Sequence, residues 1–174
     1  MVDYAEELIG DDRLLELYGY WLEKKANNSM PRREDIDPAE ISELLPHIMV
    51  VDVVDGDRFR YRMVGTALDG VIGVNATGRK IDEVMPAGPY AAYVLGIFGE
   101  LLREKVPIYA ECEHADPTVE PHATLRLVMP LTEDGANVSA ALVGLVFDAD
   151  DIDAVIRPKD EAGSFEEGVR VLLT

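Results

Sequence analysis

From the amino terminus, the apolar positions first follow a helical period. Leu14, Leu17, Tyr18 and Trp21 fall at i, i+3, i+4 and i+7, one stripe of a helix that Asp11 or Asp12 can cap and that runs to about Asn27. Asn27-Asn28-Ser29-Met30-Pro31 breaks it, and after a polar segment Asp37-Pro38 opens a short helix through Leu45, with proline in the first turn. At Ile48 the period changes. Ile48 to Val54 is a nearly continuous β-branched run, followed by the hairpin signal Asp55-Gly56. Phe59, Tyr61 and Met63 then alternate with Arg58, Arg60 and Arg62, a strand with one apolar and one basic face. The glycine-rich stretch Gly65 to Pro89 reads as short helical turns, and Pro89 or Tyr90 opens a longer helix to about Lys105. Tyr93, Val94, Ile97, Phe98 and Leu101 are its core-facing residues. Strands are expected at Ile108–His114, His122–Leu131 and Val138–Phe147, the last two joined by the turn-rich segment Thr132 to Asn137. In the tail, Asp150 to Ile156 reads as one or two helical turns and Ser164-x-x-Glu167 as a capping box that Gly168 weakens.

Two strands, a helical block and three strands imply an α+β domain: a five-stranded antiparallel sheet with a helical connector, Thr66 to Lys105, on one face. Residues 1–46 form an N-terminal helical extension, 47–148 the core and 149–174 a C-terminal tail. Hydrophobic residues make up 48% of the 174, enough for a packed core, so the chain is not of disordered composition. The 34 acidic against 16 basic residues give a formal charge of −18, which opposes binding to phosphate backbones and anionic lipid. Nucleic acid and membrane are therefore not expected partners. A single cysteine, Cys112, permits no intrachain disulfide and no cysteine-based zinc site. The start lacks a basic and then apolar signal pattern, and no apolar run is long enough to span a bilayer, so a cytoplasmic protein is expected.

Local motifs carry a resemblance. Phe59-Arg60-Tyr61-Arg62-Met63-Val64-Gly65-Thr66 sits at a second strand and the turn out of it. Thr77-Gly78-Arg79-Lys80-Ile81-Asp82-Glu83-Val84 matches a G-(K/R)-x-x-x-(D/E)-(L/V) connector, and Pro130-Leu131-Thr132-Glu133-Asp134-Gly135 a P-L-x-x-x-G turn before a final strand. With the element order, these resemble the PAS domain. The leader narrows the resemblance. Tyr20-Trp21, Met30-Pro31-Arg32-Arg33-Glu34-Asp35-Ile36-Asp37-Pro38 and Leu44-Leu45-Pro46-His47-Ile48 are similar to the Tyr-Trp helix, MPxRxDIDP and LLPxI leader of a bacterial family of stand-alone PAS-like proteins. The resemblance covers roughly residues 17 to 148. It implies a small-ligand pocket between the sheet's inner face and the connector, and signalling through the outer face and terminal helices. It names no ligand, because the fold serves haem, flavin, organic acids or no cofactor.

The residues themselves argue against most cofactors and catalysis. A flavin photosensor of this fold needs an Asn-Cys-Arg-Phe motif near the connector, whereas Cys112 precedes Glu113 on a late strand. A haem-binding member needs a histidine on the long helix, and none lies between Tyr90 and Lys105. His47, His114 and His122 have no metal-site spacing, so the corner of His114, Asp116, Glu120 and His122 reads as a polar strand–loop–strand turn and no metal is expected. Asp148, Asp150, Asp151 and Asp153 lack a calcium-loop pattern and read as a solvated helix start. No serine lies in a nucleophile-elbow context, and no phosphate-binding glycine loop occurs.

The candidate ligand-pocket residues are Tyr61, Arg62, Met63, Tyr93, Leu125, Arg126 and Leu127. Arg60, Arg62 and Arg126 either meet on one sheet face, where a guanidinium fork suits a carboxylate ligand, or pair with the chain's many carboxylates at a solvated face. Leu14, Leu17, Tyr18 and Trp21 either fold back on the sheet or form a homodimer interface, and the dimer is the expected arrangement. The function expected is that of a non-catalytic sensory module, with no bound cofactor, acting on a separate signalling protein. The rivals are a small cone-shaped α+β isomerase or dehydratase and a ligand-free dimerisation module.

Overall fold

Asp11 sets the N-terminal geometry. Its carboxylate accepts from the backbone N–H of Arg13 at 2.9 Å and of Leu14 at 3.4 Å, capping α2 (Asp12–Lys25). A single turn, α1 (Tyr4–Leu8), precedes it. The computed structural model of the chain describes residues 4–72, 75–116, 119–148 and 164–174. Tight 3-10 turns at Pro38–Ile41 and Leu45–His47 stand where one short helix was expected, and another at Arg33–Asp35 lies in the polar segment before it. They deliver the chain to β1 (Ile48–Val54) and β2 (Arg58–Val64). Gly65 closes that hairpin against the leader: its N–H donates to the Ile48 carbonyl at 2.7 Å, and a Cβ here would overlap the carbonyl oxygens of Leu45 and Pro46. The glycine is therefore required by close backbone approach.

The connector is α3 (Thr66–Ile72), α4 (Ile81–Val84) and α5 (Pro89–Glu104), and it leads into β3 (Ile108–Asp116), β4 (Val119–Thr132) and β5 (Val138–Asp148). A sixth strand, β6 (Ser164–Leu172), was not expected. It pairs antiparallel with β3 and corrects both the five-strand expectation and the capping-box reading of Ser164 to Glu167. The sheet order is β2-β1-β5-β4-β3-β6, antiparallel throughout. The expected turns at Asp150 to Ile156 lie outside the described residues.

Both faces of the sheet are covered. On the inner face α5 buries Tyr93, Val94, Ile97, Phe98 and Leu101, and Phe98 meets Phe59 with ring centroids 5.0 Å apart. On the outer face lies α2, with Leu14, Leu17, Tyr18 and Trp21 all buried in its own chain. Gly144 on β5 makes that contact possible, since a Cβ there would come within 2.6 Å of Leu14 Cδ2 and 2.8 Å of Leu17 Cδ2. Trp21 Nε1–H donates to the Pro130 carbonyl of β4 at 2.9 Å. The expectation that these four residues form a dimer interface is thereby corrected: the stripe is consumed inside one chain, and the sheet offers the apolar face it needs. Among the described residues no helix is long and apolar enough to cross a membrane.

Candidate ligand site

In a strand, neighbouring residues point to opposite faces, and residues opposed across a ladder share one. Arg126 on β4 is opposed by Ala110 on β3 and Leu145 on β5, while Thr124 is opposed by Cys112. These side chains look toward α5, whose Tyr90 and Tyr93 stand three residues apart on one helix face. Arg126 is 4% exposed. Its Nη2 donates to the Tyr90 hydroxyl at 3.0 Å, and its guanidinium carbon lies 6.0 Å from the centre of the Tyr93 ring. Arg126 Nη1 is buried and has no hydrogen-bond partner among the described residues, and Thr124 lies beside the Cys112 thiol. Cys112 Sγ sits 3.4 Å from His114 Nε2. From β6, Phe165 packs against Tyr90 and Tyr93 at centroid distances of 5.5 and 5.4 Å. Arg170 lies 5.1 Å from the Tyr93 ring centre, and Glu100 and Glu167 neutralise it at 3.4 and 2.6 Å.

The Tyr61 and Tyr93 phenols and the Cys112 thiol near Arg126 are held in their neutral forms by burial. Burial pushes the Tyr61 phenol up to about 12 while the Arg126 charge pulls it the other way. Burial likewise pushes the Tyr93 phenol up to about 12 and raises the Cys112 thiol. Because the neutral phenols are favoured by folding, their stabilising contribution is complete below the unfolded value near 10 and disappears as pH rises toward 12. Ultraviolet titration of the folded chain is accordingly expected to show these phenols ionising later than free tyrosine, with alkaline unfolding between about pH 10 and 12. Phenol titration complete near pH 10 with the fold intact would contradict the burial described.

The sequence-predicted residues divide. Tyr61, Tyr93 and Arg126 come together at this site, whereas Met63, paired with Val50 across a bulge in β2, lies half-buried on the face opposite to Tyr61, which pairs with Val51. Arg62 does not join them. Together with Arg33 and Arg60 it surrounds Asp52 on the outer face, at 2.9, 3.1 and 3.4 Å from the carboxylate, so the basic face of β2 is neutralised within the chain. Leu125 and Leu127 are also misplaced by the prediction. Alternation turns them away from Arg126, and Leu125 Cδ2 stands on the outer side, 3.6 Å from where a Cβ on Gly10 would sit. Tyr90, Thr124, Cys112, His114, Phe165 and Arg170 were missed as site residues. Tyr90 follows from Tyr93 by helical spacing, and Cys112 and Thr124 follow from cross-strand pairing; Phe165 and Arg170 required β6. The backbone pairs His114 with His122, but the His122 side chain lies outside the described residues.

An antiparallel sheet with a helical connector packed across one face is the layered arrangement of an α+β domain. The family model of the PAS domain matches residues 11–146, and the chain belongs to the PAS domain family. The match begins at the cap of α2 and ends within β5, so it includes the leader helix and leaves β6 outside. No curated protein matches the chain.

Proposed function

We propose that this chain is a non-catalytic sensory module of the cytoplasm, in which a small molecule bound between the inner sheet face and α5 alters the packing of α2 and β6. The observation that carries this reading is the unused hydrogen-bonding capacity of the buried Arg126 Nη1, which has no partner among the described residues. Buried polar groups left without partners are costly, so their persistence points to something that partners them. The flanking elements are placed to respond. Phe165 of β6 touches Tyr90 and Tyr93, and β4 carries Arg126 on one face and the Pro130 acceptor of Trp21 a few residues on. Such an output acts on a separate signalling protein.

One observation favours an enzyme instead: the Cys112 and His114 side chains are close enough for a nucleophile–base pair. The thiol is 1% exposed and burial raises it, whereas a reactive cysteine is accessible and acidified. That contrast favours the sensory reading. Native mass spectrometry of the freshly purified chain tests it. A non-covalent adduct lost on denaturation is expected. Bare chain in every preparation, with no member of a metabolite library raising the melting temperature, would refute ligand sensing and leave a filled-core interaction module.

A further inference from the structure

We propose that the molecule this site takes is a small monocarboxylate with an apolar body, its carboxylate bound by the Nη1 edge of Arg126 beside the Tyr90 hydroxyl. The proposal rests on the sensory reading above and specifies its ligand. Its starting point is charge. Arginine remains protonated in proteins, so the guanidinium brings a full positive charge into the core. A buried charge without a counter-charge is strongly unfavourable, and one left in place implies a missing partner. This chain is not short of carboxylates: it has 34 acidic residues against 16 basic ones. Arg13, Arg33, Arg58, Arg60, Arg62 and Arg170 each engage one. Arg126, the buried arginine of the core, is bonded instead to a tyrosine hydroxyl, and no carboxylate among the described residues pairs with it.

The neighbours do not supply the anion either. Tyr61, Tyr93 and Cys112 all have their ionisation pushed upward by burial, so at neutral pH they are uncharged. With no counter-charge among the described residues, that role falls to a bound anion. Its valence follows from the walls. One guanidinium balances one negative charge, and Arg170 is already balanced by Glu100 and Glu167. A phosphate dianion or a dicarboxylate would leave a second charge against Tyr61, Tyr93 and Phe165 with no donor cation, at high desolvation cost. A carboxylate matches the planar fork of arginine. Ala110, opposed to Arg126 on β3, keeps the side chain beside the guanidinium small. The aromatic walls set the rest of the ligand as apolar, its contact made with ring faces.

The experiment uses the full chain, denatured and refolded to remove any bound molecule. Calorimetric and thermal-shift titrations are run with butyrate, octanoate and benzoate. Butyramide, octanol and benzamide serve as neutral isosteres, and inorganic phosphate and chloride as simple anions. At least one carboxylate is expected to bind and raise the melting temperature, with its isostere at least about 30-fold weaker and the simple anions weaker still. Arg126→Met, whose fold is checked by circular dichroism, is expected to lose on the order of 100-fold in carboxylate affinity. Tyr90→Phe, which removes one hydroxyl, is expected to lose about tenfold or less. Equal binding of a neutral isostere, retained in Arg126→Met, would overturn the carboxylate proposal and leave the sensory reading standing. Binding led by phosphate or chloride would replace it with a general anion site. No response to any carboxylate overturns it outright; if a wider metabolite library also gives nothing, the sensory reading falls with it.

Discussion

Trp21→Ala is expected to lower the stability of the chain by about 3–5 kcal/mol, a large share of the roughly 5–15 kcal/mol that holds a domain together. Three losses combine. The indole is 1% exposed and fills the space between α2 and the sheet. Its ring lies parallel to Tyr18, with centroids 6.4 Å apart. Its N–H is the donor to the Pro130 carbonyl, which the substitution leaves buried without that bond. Urea denaturation at two protein concentrations measures the effect, and the midpoint is expected to fall equally at both. A wild-type midpoint that rises with concentration, together with a variant that stays folded, would return Trp21 to an interface between copies.

Arg126→Met is expected to act in the opposite direction on the ligand-free chain, raising its stability by about 1–4 kcal/mol. Methionine fills a similar volume with no charge to desolvate. The Tyr90 hydroxyl loses its guanidinium donor but keeps the option of turning to another partner or water. Most buried substitutions destabilise, so a gain at a residue this enclosed is diagnostic of a position held for binding at the expense of folding. Urea denaturation of refolded, ligand-free protein gives the number. A loss of more than about 1 kcal/mol would mean that the guanidinium already makes the structural contacts it needs.

Where sequence and structure agree, the local signal is strong and a single physical rule decides. Asp55 and Gly56 adopt positive φ of 53° and 86° in the short turn, closed by Asp57, that joins strands over Ile48–Val54 and Arg58–Val64. The stripe of α5 buries the five residues its period selects. The errors have equally physical causes. Leu125, Arg126 and Leu127 were grouped because both faces of β4 are covered, so its pattern reads as one apolar stretch and the alternation is hidden. β6 escaped because its register slips against β3: Ala110 pairs with Arg170 but Cys112 with Glu167, so an extra residue interrupts the period of two just where Gly168 sits. The destination of the α2 stripe was open in principle, since an apolar helix face is satisfied equally by its own sheet or by another copy. Gly144, a gap in the outer face of β5, decides between them only once the strands are aligned.

Trp21 also gives the chain an optical signal of its own. It is the one tryptophan in the sequence, so the whole indole emission comes from a single site. That site is buried and touches β4 at Pro130, on the face turned away from Arg126. Its wavelength reports whether α2 is seated on the sheet, and ligands that stop at the inner face cannot quench it by direct contact. A spectral shift on titration therefore marks motion carried through the thickness of the sheet, and unchanged emission during saturable binding marks a site that fills without moving the helix behind it.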